Sequence, residues 1–412
     1  MRGAHPDRNI RLLFGYWFLQ DFQLWIPVWI VFLTIERGFS LTQVTMAEGL
    51  YLVGVLILEV PTGAVADRWG RSKSMALGAF LLGGAVLIFA FTTSFAILMA
   101  SFLLWSVAHA LMSGADNALL FDTLKASGRE SEYEKVAGRG IAAHWGGAGV
   151  ATLLGGPVAA FTDVRMTIFI GAATCVAASL IALSLWEAPR AREDGPKESY
   201  FGGIRAAFGE AWQVVDVRIL ILLAGTAFAA LEAVHYLIQP YLIDRDIAVG
   251  TVFSLLQVPL LFAGLVGALL AGRIVTTAAS TRTFLLVPVL GASCYALLAG
   301  LPGLAAYAAF PLMIALGSLV EPLTTGYVNR RIGSERRATV LSIQSMIRSL
   351  VLAVLAPGLG FATDHWGIGE AFAIGGALAL ISGIAFGIPL LLRGRKVQFE
   401  PPMPSELREA AG

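Results

Sequence analysis

Residues 63–75 read GAVADRWGRSKSM, which sets Asp67, Arg68, Arg71 and Lys73 between two of the most apolar runs in the chain, with Glu59 just upstream. The interruption is intelligible once the surroundings are counted. The 412-residue chain is 57% hydrophobic and 14% charged, whereas soluble domains sit near about 45–50% and about 25%. This is a membrane composition.

Runs long enough to cross a bilayer, about 17–25 residues each, recur at 10–34, 42–65, 75–94, 97–121, 139–161, 166–186, 218–241, 250–272, 283–301, 304–328, 338–361 and 370–392. A backbone in lipid must satisfy its own hydrogen bonds, so each run is expected as a helix; the length and lack of alternation exclude a barrel. The expected fold is an all-α membrane protein with twelve transmembrane helices.

The formal net charge of +1 hides an asymmetry. With both termini cytoplasmic, only Arg37, Arg165 and Arg245 fall outside and Arg348 falls within a helix, leaving 25 of the 29 Lys and Arg on the inner side. That bias sets orientation, and it accounts for the basic loops without nucleic-acid binding. MRGAHPDRNIRLL precedes a first run followed by no small-residue cleavage site, so that run is expected to remain as the first helix. Cys175 and Cys294 lie in runs of opposite halves, and no disulfide is expected.

A charged, Gly/Pro-punctuated stretch, EAPRAREDGPKESYFGGIRAAFGEAWQVVDVR at 187–218, separates the sixth and seventh runs, with an amphipathic piece around Phe208–Val215. Arg139, Pro157 and Asp163 before it match Arg337, Pro357 and Asp364 after it at offsets of 198, 200 and 201. Near-constant offsets argue for duplicated, pseudo-symmetric six-helix halves: 1–189, a linker at 190–217, and 218–412 with a short tail.

Gly63, Asp67, Arg68, Gly70 and Arg71 fill the fixed positions of G-x-x-x-D-R-x-G-R between the second and third runs. The stretch thereby resembles the signature of the major facilitator superfamily, in the topological slot where that family carries it. Gly267-Ala-Leu-Leu-Ala271-Gly272-Arg273 in the second half keeps Gly and Arg but loses the acid. The resemblance implies a secondary transporter whose halves rock about a central cavity, giving alternating access. It also implies that Asp122, matching the family's acidic partner for the signature, joins a cytoplasmic cluster facing the loop NRRIGSERR at 329–337. Such a cluster would clasp the halves when the cavity opens outward. Physically, Gly63 is expected to allow close helix approach, Asp67 to cap the following helix and Arg71 to bind a carboxylate. Topology alone needs only the Lys and Arg.

Ionisable groups inside runs are costly, about 2.5–3.5 kcal/mol each, and mark cavities or partners. Asp21 sits in the first run on one face with Trp17 and Gln20, and is the leading candidate for a proton or cationic-substrate site. Glu232, His235 and Gln239 share a face of the seventh run with Phe228. In the eleventh run Gln344, Ser345 and Arg348 align, and Arg348 must find a carboxylate or an anionic substrate: Glu321 of the tenth run, or an acid of the other half. Glu59 and Asp116, nearer the inner side, suit a gating network, and Glu48 lies nearer the outer end. Ser113-Gly114 and the GGAG at 146–149 are expected to permit tight packing. Trp17, Trp25, Trp29, Trp105 and Trp145 could line a pocket.

Proton-coupled drug exporters of the family carry R-x-x-Q-G in helix four and G-P-x-x-G-G in helix five. Here the fourth run reads AHALMSG, with Ala110 in place of the Arg and His109 beside it, and only Gly156-Pro157 survives in the fifth. The expected function is therefore transport of a small molecule, led by proton-coupled efflux of a drug-like or lipophilic compound. Proton- or ion-coupled uptake of a nutrient or metabolite is the alternative. A channel would not need the Asp67/Arg71/Asp122 cluster, and a receptor would bind without moving its ligand. No enzyme is expected: there is no G-K-S/T for nucleotide phosphates, no G-x-S-x-G, and the histidines lack metal-ligand spacing. Neither cofactor nor metal is implied, and the expected setting is a monomer in the plasma membrane.

Overall fold

The computed structural model describes residues 5–187, 209, 212–274, 278–333 and 337–394, and every regular element among them is a helix. The first half contributes α1 (His5–Asp21), a short α2 (Trp29–Val31), α3 (Leu41–Trp69), α4 (Arg71–Phe91), α5 (Phe95–Met112), α6 (Ala115–Ala126), α7 (Tyr133–Phe161) and α8 (Val164–Leu183). The second contributes α9 (Val215–Leu223), α10 (Ala229–Ala233), α11 (His235–Asp244), α12 (Thr251–Ile274), α13 (Ala278–Gly300), α14 (Ala309–Asn329), α15 (Arg337–Trp366), α16 (Ile368–Ser382) and α17 (Ile388–Gly394).

Ten helical stretches among the described residues are long and apolar enough to cross a membrane. The expected runs at 10–34 and 139–161 fall outside that set. In the first, α1 stops at Asp21, and a turn leads into α2 and a π-helical turn at Phe32–Glu36. In the second, α7 is one helix of 29 residues whose glycines dilute its apolar content. The run at 97–121 also divides, because Gly114 takes a positive φ of 73° between α5 and α6. Ser113-Gly114 therefore makes a bend rather than the expected packing seam: a Cβ on Gly114 would meet nothing within 4 Å. Gly147 does serve packing, since a Cβ there would sit 3.2 Å from the backbone nitrogen of Phe22, just past the end of α1.

Local sequence sets the helix ends. Ser40 accepts from Gln43 N while the Gln43 side chain accepts from Ser40 N, a complete capping box for α3. Within the first half, α4 packs on α5 and α8, α3 on α5, and α1 on α7 and α8; within the second, α12 packs on α14, α13 on α14 and α16, and α15 on α16. The halves meet reciprocally, α3 against α15 and α7 against α12, so the second run of each lies on the fifth run of the other. The expected linker and its surface helix around Phe208–Val215 lie largely outside the described residues. Cys175 and Cys294 are both buried free thiols.

Candidate functional site

Among the described residues, two cavities are lined by both halves. The central one, about 410 Å³, takes its walls from α7, α12, α14, α15 and the segment around Glu232, and includes Trp145, Glu232, His235, Glu321 and Arg348. The second, about 670 Å³, lies between α3, α5 and α15, with Tyr51, Glu59, His109 and Ser345 on its walls.

Asp21, at the last turn of α1, is paired. Its Oδ2 lies 2.7 Å from His144 Nδ1 of α7, with the two side chains 38% and 28% exposed. Behind this pair Trp17 Nε1 donates to Asp116 Oδ2 at 2.7 Å, and the Trp17 ring stands 5.7 Å from the His144 ring. Gly140 makes room for the indole, since a Cβ there would approach Trp17 Cε3 to 2.8 Å. α1, α6 and α7 thus bring Asp116, Trp17, His144 and Asp21 into one file. Gln20 is beside it, its Oε1 buried without a hydrogen-bond partner. Asp116 belongs to this file, where the sequence suggested a gating acid.

Arg348 settles on Glu232, with Nε 3.5 Å from Oε2, and not on Glu321 or an acid of the first half. His235 Nδ1 donates to the Glu232 backbone carbonyl at 2.8 Å, so the link of these two neighbours runs through the main chain. Gln344, one turn before Arg348, has a buried Oε1 without a partner. Glu48 accepts from Tyr236 OH at 3.3 Å across the halves. Of the tryptophans, Trp29 and Trp145 reach the central cavity, while Trp25 packs edge-on against Phe89 and Trp105.

The signature stretch departs from its expected roles in two places. A Cβ on Gly63 would meet nothing within 4 Å, so close helix approach does not explain that glycine. Asp67 does not cap α4: Glu187 Oε1 accepts from Ser72 N at 2.7 Å, and Gly70 turns the chain at a φ of 112°. Arg71 binds the Asp122 carboxylate, but α4 and α6 both belong to the first half, so this ion pair does not itself bridge the halves. Arg68 is exposed at the end of α3, and residues 334–336 of the basic loop lie outside the described set.

Among the described residues, a series of hydrogen bonds joins the halves in an outer seam, at the end that the charge bias assigns to the outside. Asp364 of α15 accepts from Leu41 N at 3.0 Å and from the Thr42 N and hydroxyl at 2.8 and 2.5 Å, capping α3 of the other half. Gln239 Oε1 accepts from Ile30 N at 3.0 Å, its Nε2 donates to Ile26 O at 2.9 Å, and Gln257 Nε2 donates to Pro27 O at 2.9 Å. Gly156 N donates to Ser254 Oγ at 2.7 Å. Gln239 is therefore a seam residue despite sharing the Glu232 face in sequence.

Sequence reasoning missed His144, Gln257 and the capping work of Asp364 and Glu187. His144 carried a signal: past Arg139 it is the one ionisable side chain in a glycine-rich run.

A family model described as Major Facilitator Superfamily matches residues 12–357. An uncharacterized MFS-type transporter, YxaM of Bacillus subtilis strain 168, is 32% identical over 89 residues, which span 22% of this chain and 22% of that relative's length. Among solved structures, the nucleoside transporter NupG superposes with a TM-score of 0.77 at 15% identity, covering 95% of this chain and 100% of that one. A bacterial homolog of the human lysosomal transporter Spinster, inward-facing and unoccupied, gives 0.71 at 16% identity, covering 97% and 100%. At such identities the likeness is one of fold.

Proposed function

The chain belongs to the major facilitator superfamily, and from that premise we propose that it exports a drug-like or lipophilic compound in exchange for protons, by alternating access through the central cavity. Membership makes it a multi-pass membrane transporter of small molecules rather than an enzyme. The finer reading rests on one observation, the 2.7 Å contact between Asp21 and His144. A carboxylate against an imidazole can trade a proton across a single hydrogen bond, and both side chains keep enough exposure to exchange it with water. The Trp17–Asp116 bond holds the file behind them in register. The two-halves division at 190–217 and a monomer in the plasma membrane complete the proposal.

The test is flux of a compound panel in proteoliposomes under pH gradients of either sign. Export by exchange predicts accumulation driven by a gradient that returns protons to the inner side. Asp21→Asn should lower gradient-driven transport at least tenfold while leaving downhill exchange of substrate measurable. Uptake by symport would reverse the effective gradient, and flux indifferent to every gradient would sink proton coupling altogether.

A further inference from the structure

Four ionisable side chains reach the central cavity, and three are already committed. Arg348 and Glu232 form an ion pair at 3.5 Å, and His235 spends its Nδ1 proton on a backbone carbonyl. Glu321 of α14 has no hydrogen bond or ion pair among the described residues. With the Arg348–Glu232 pair formally neutral, Glu321, exposed on the cavity wall within a membrane-spanning stretch, leaves the cavity one formal negative charge, and an intramembrane carboxylate calls for a cation.

An aromatic surface lines the same cavity. Trp145 of α7 belongs to the other half and is 52% exposed. A Cβ on Gly264 of α12 would lie 4.0 Å from Trp145 Cη2 and 3.4 Å from Ser318 Oγ, so Gly264 is where the indole and the α14 turn bearing Ser318 both approach α12. Glu321 follows Ser318 by three residues and shares its face of α14; both line the cavity. Ile26, Phe228 and Ile314 add apolar wall.

We infer that the cavity selects monovalent organic cations, with Glu321 of one half supplying the charge contact and Trp145 of the other the cation–π contact. An indole face attracts cations most strongly among aromatics, and more so away from water. A lipophilic cation satisfies all three walls at once, whereas an anion meets an uncompensated carboxylate. Charge selection thus falls to Glu321 and not to Asp21, whose carboxylate is engaged by His144. The inference rests on the reading of this cavity as the transport site, but it concerns binding and needs no gradient.

The experiment is equilibrium binding to the purified full-length protein in detergent, with tetraphenylphosphonium and its near-isosteric anion tetraphenylborate as probes. Saturable binding of the cation and none of the anion is expected. Glu321→Gln, nearly isosteric, should weaken the cation at least tenfold. Trp145→Ala should weaken it about three- to tenfold, with Trp145→Phe restoring part of the loss. Monodispersity and an unchanged melting temperature establish that each variant is folded. Absence of saturable cation binding, equal binding of both ions, or a Glu321→Gln protein that binds like wild type would overturn the inference. Cation binding without gradient-driven flux would instead sink proton exchange and leave the cation site standing.

Discussion

The two ends of the molecule are held by different physics. At the outer end, side chains of one half bond to the backbone of the other: Asp364 to α3, Gln239 and Gln257 to the segment between α1 and α2, and Ser254 to Gly156. At the inner end, two contacts among the described residues, Arg71–Asp122 and Glu187–Ser72, lie within the first half. The outer contacts are neutral or single-sided, so water can replace each of them when the seam opens, and their loss is graded. Arg71–Asp122 is an ion pair, which gains most from a partner held in place. Among the described contacts, the Arg71–Asp122 pair of the signature ties α4 to α6 within one half, while the bonds of the outer seam run between the halves.

The most damaging change to this arrangement is Gly156→Leu. A Cβ at that position would run into the Gly250 carbonyl and Ser254 Oγ, both on the α12 side of the seam. Helix backbones cannot yield as a flexible side chain would, so α7 and α12 should be forced apart. Spin labels at Ile35 and Val252, exposed on opposite halves, should report a widened outer gap, and transport should fall to background. Labelling is specific because Cys175 and Cys294 are buried. An unchanged distance would break the comparison.

Asp364→Ala should act in the same direction with less force. The lost cap is worth roughly 1–2 kcal/mol, which shifts the closed-to-open ratio about five- to thirtyfold. Its repeat-related counterpart sharpens the point. Asp163 accepts from Arg165 N at 2.7 Å and so caps its own following helix, α8. Asp163→Ala should lower the melting temperature by a similar free energy without moving the outer labels. Equal opening in both variants would mean that capping of α3 is not what closes the seam.

These asymmetries show where sequence stops. Hydropathy locates the runs because each must span the same thickness, and the signature lies where its family places it. Partner choice is another matter. Asp21 and His144 are 123 residues apart, as Arg348 and Glu232 are 116 apart, and no periodicity encodes either meeting. In lipid a helix is apolar on its packed and outward faces alike, so the contrast that orients a soluble helix is missing. The end of α1 at Asp21 and the π-helical turns at Phe32–Glu36, Ala224–Phe228 and Gly383–Gly387 are likewise set by neighbours. The Asp163–Asp364 repeat was legible as a repeat, yet its two copies bond differently.

The smallest effect belongs to the exposed inner loop, where Arg129 donates to Glu132 at 2.8 and 2.9 Å and to Asp7 at 2.7 Å. The hydrogen bond from Arg129 holds the Glu132 carboxyl below its ordinary value of 4.5, while the bonds to Glu132 and Asp7 raise the Arg129 guanidinium further above its usual range. A lowered carboxylate contributes stability above its unfolded value and loses it as pH falls through the folded one. Arg129 stays protonated across this range, so the acid limb follows the Glu132 carboxyl. Arg129→Ala should therefore leave transport intact and change the melting temperature by little at pH 7, because surface pairs are well solvated and weak. The small difference should fade as the pH falls from 4.5 through the lowered carboxyl value of Glu132, and also in about 1 M salt, where screening is nearly complete. A difference that persists at acid pH and high salt would assign Arg129 a packing role and erase the contrast between a water-screened inner loop and a backbone-bonded outer seam.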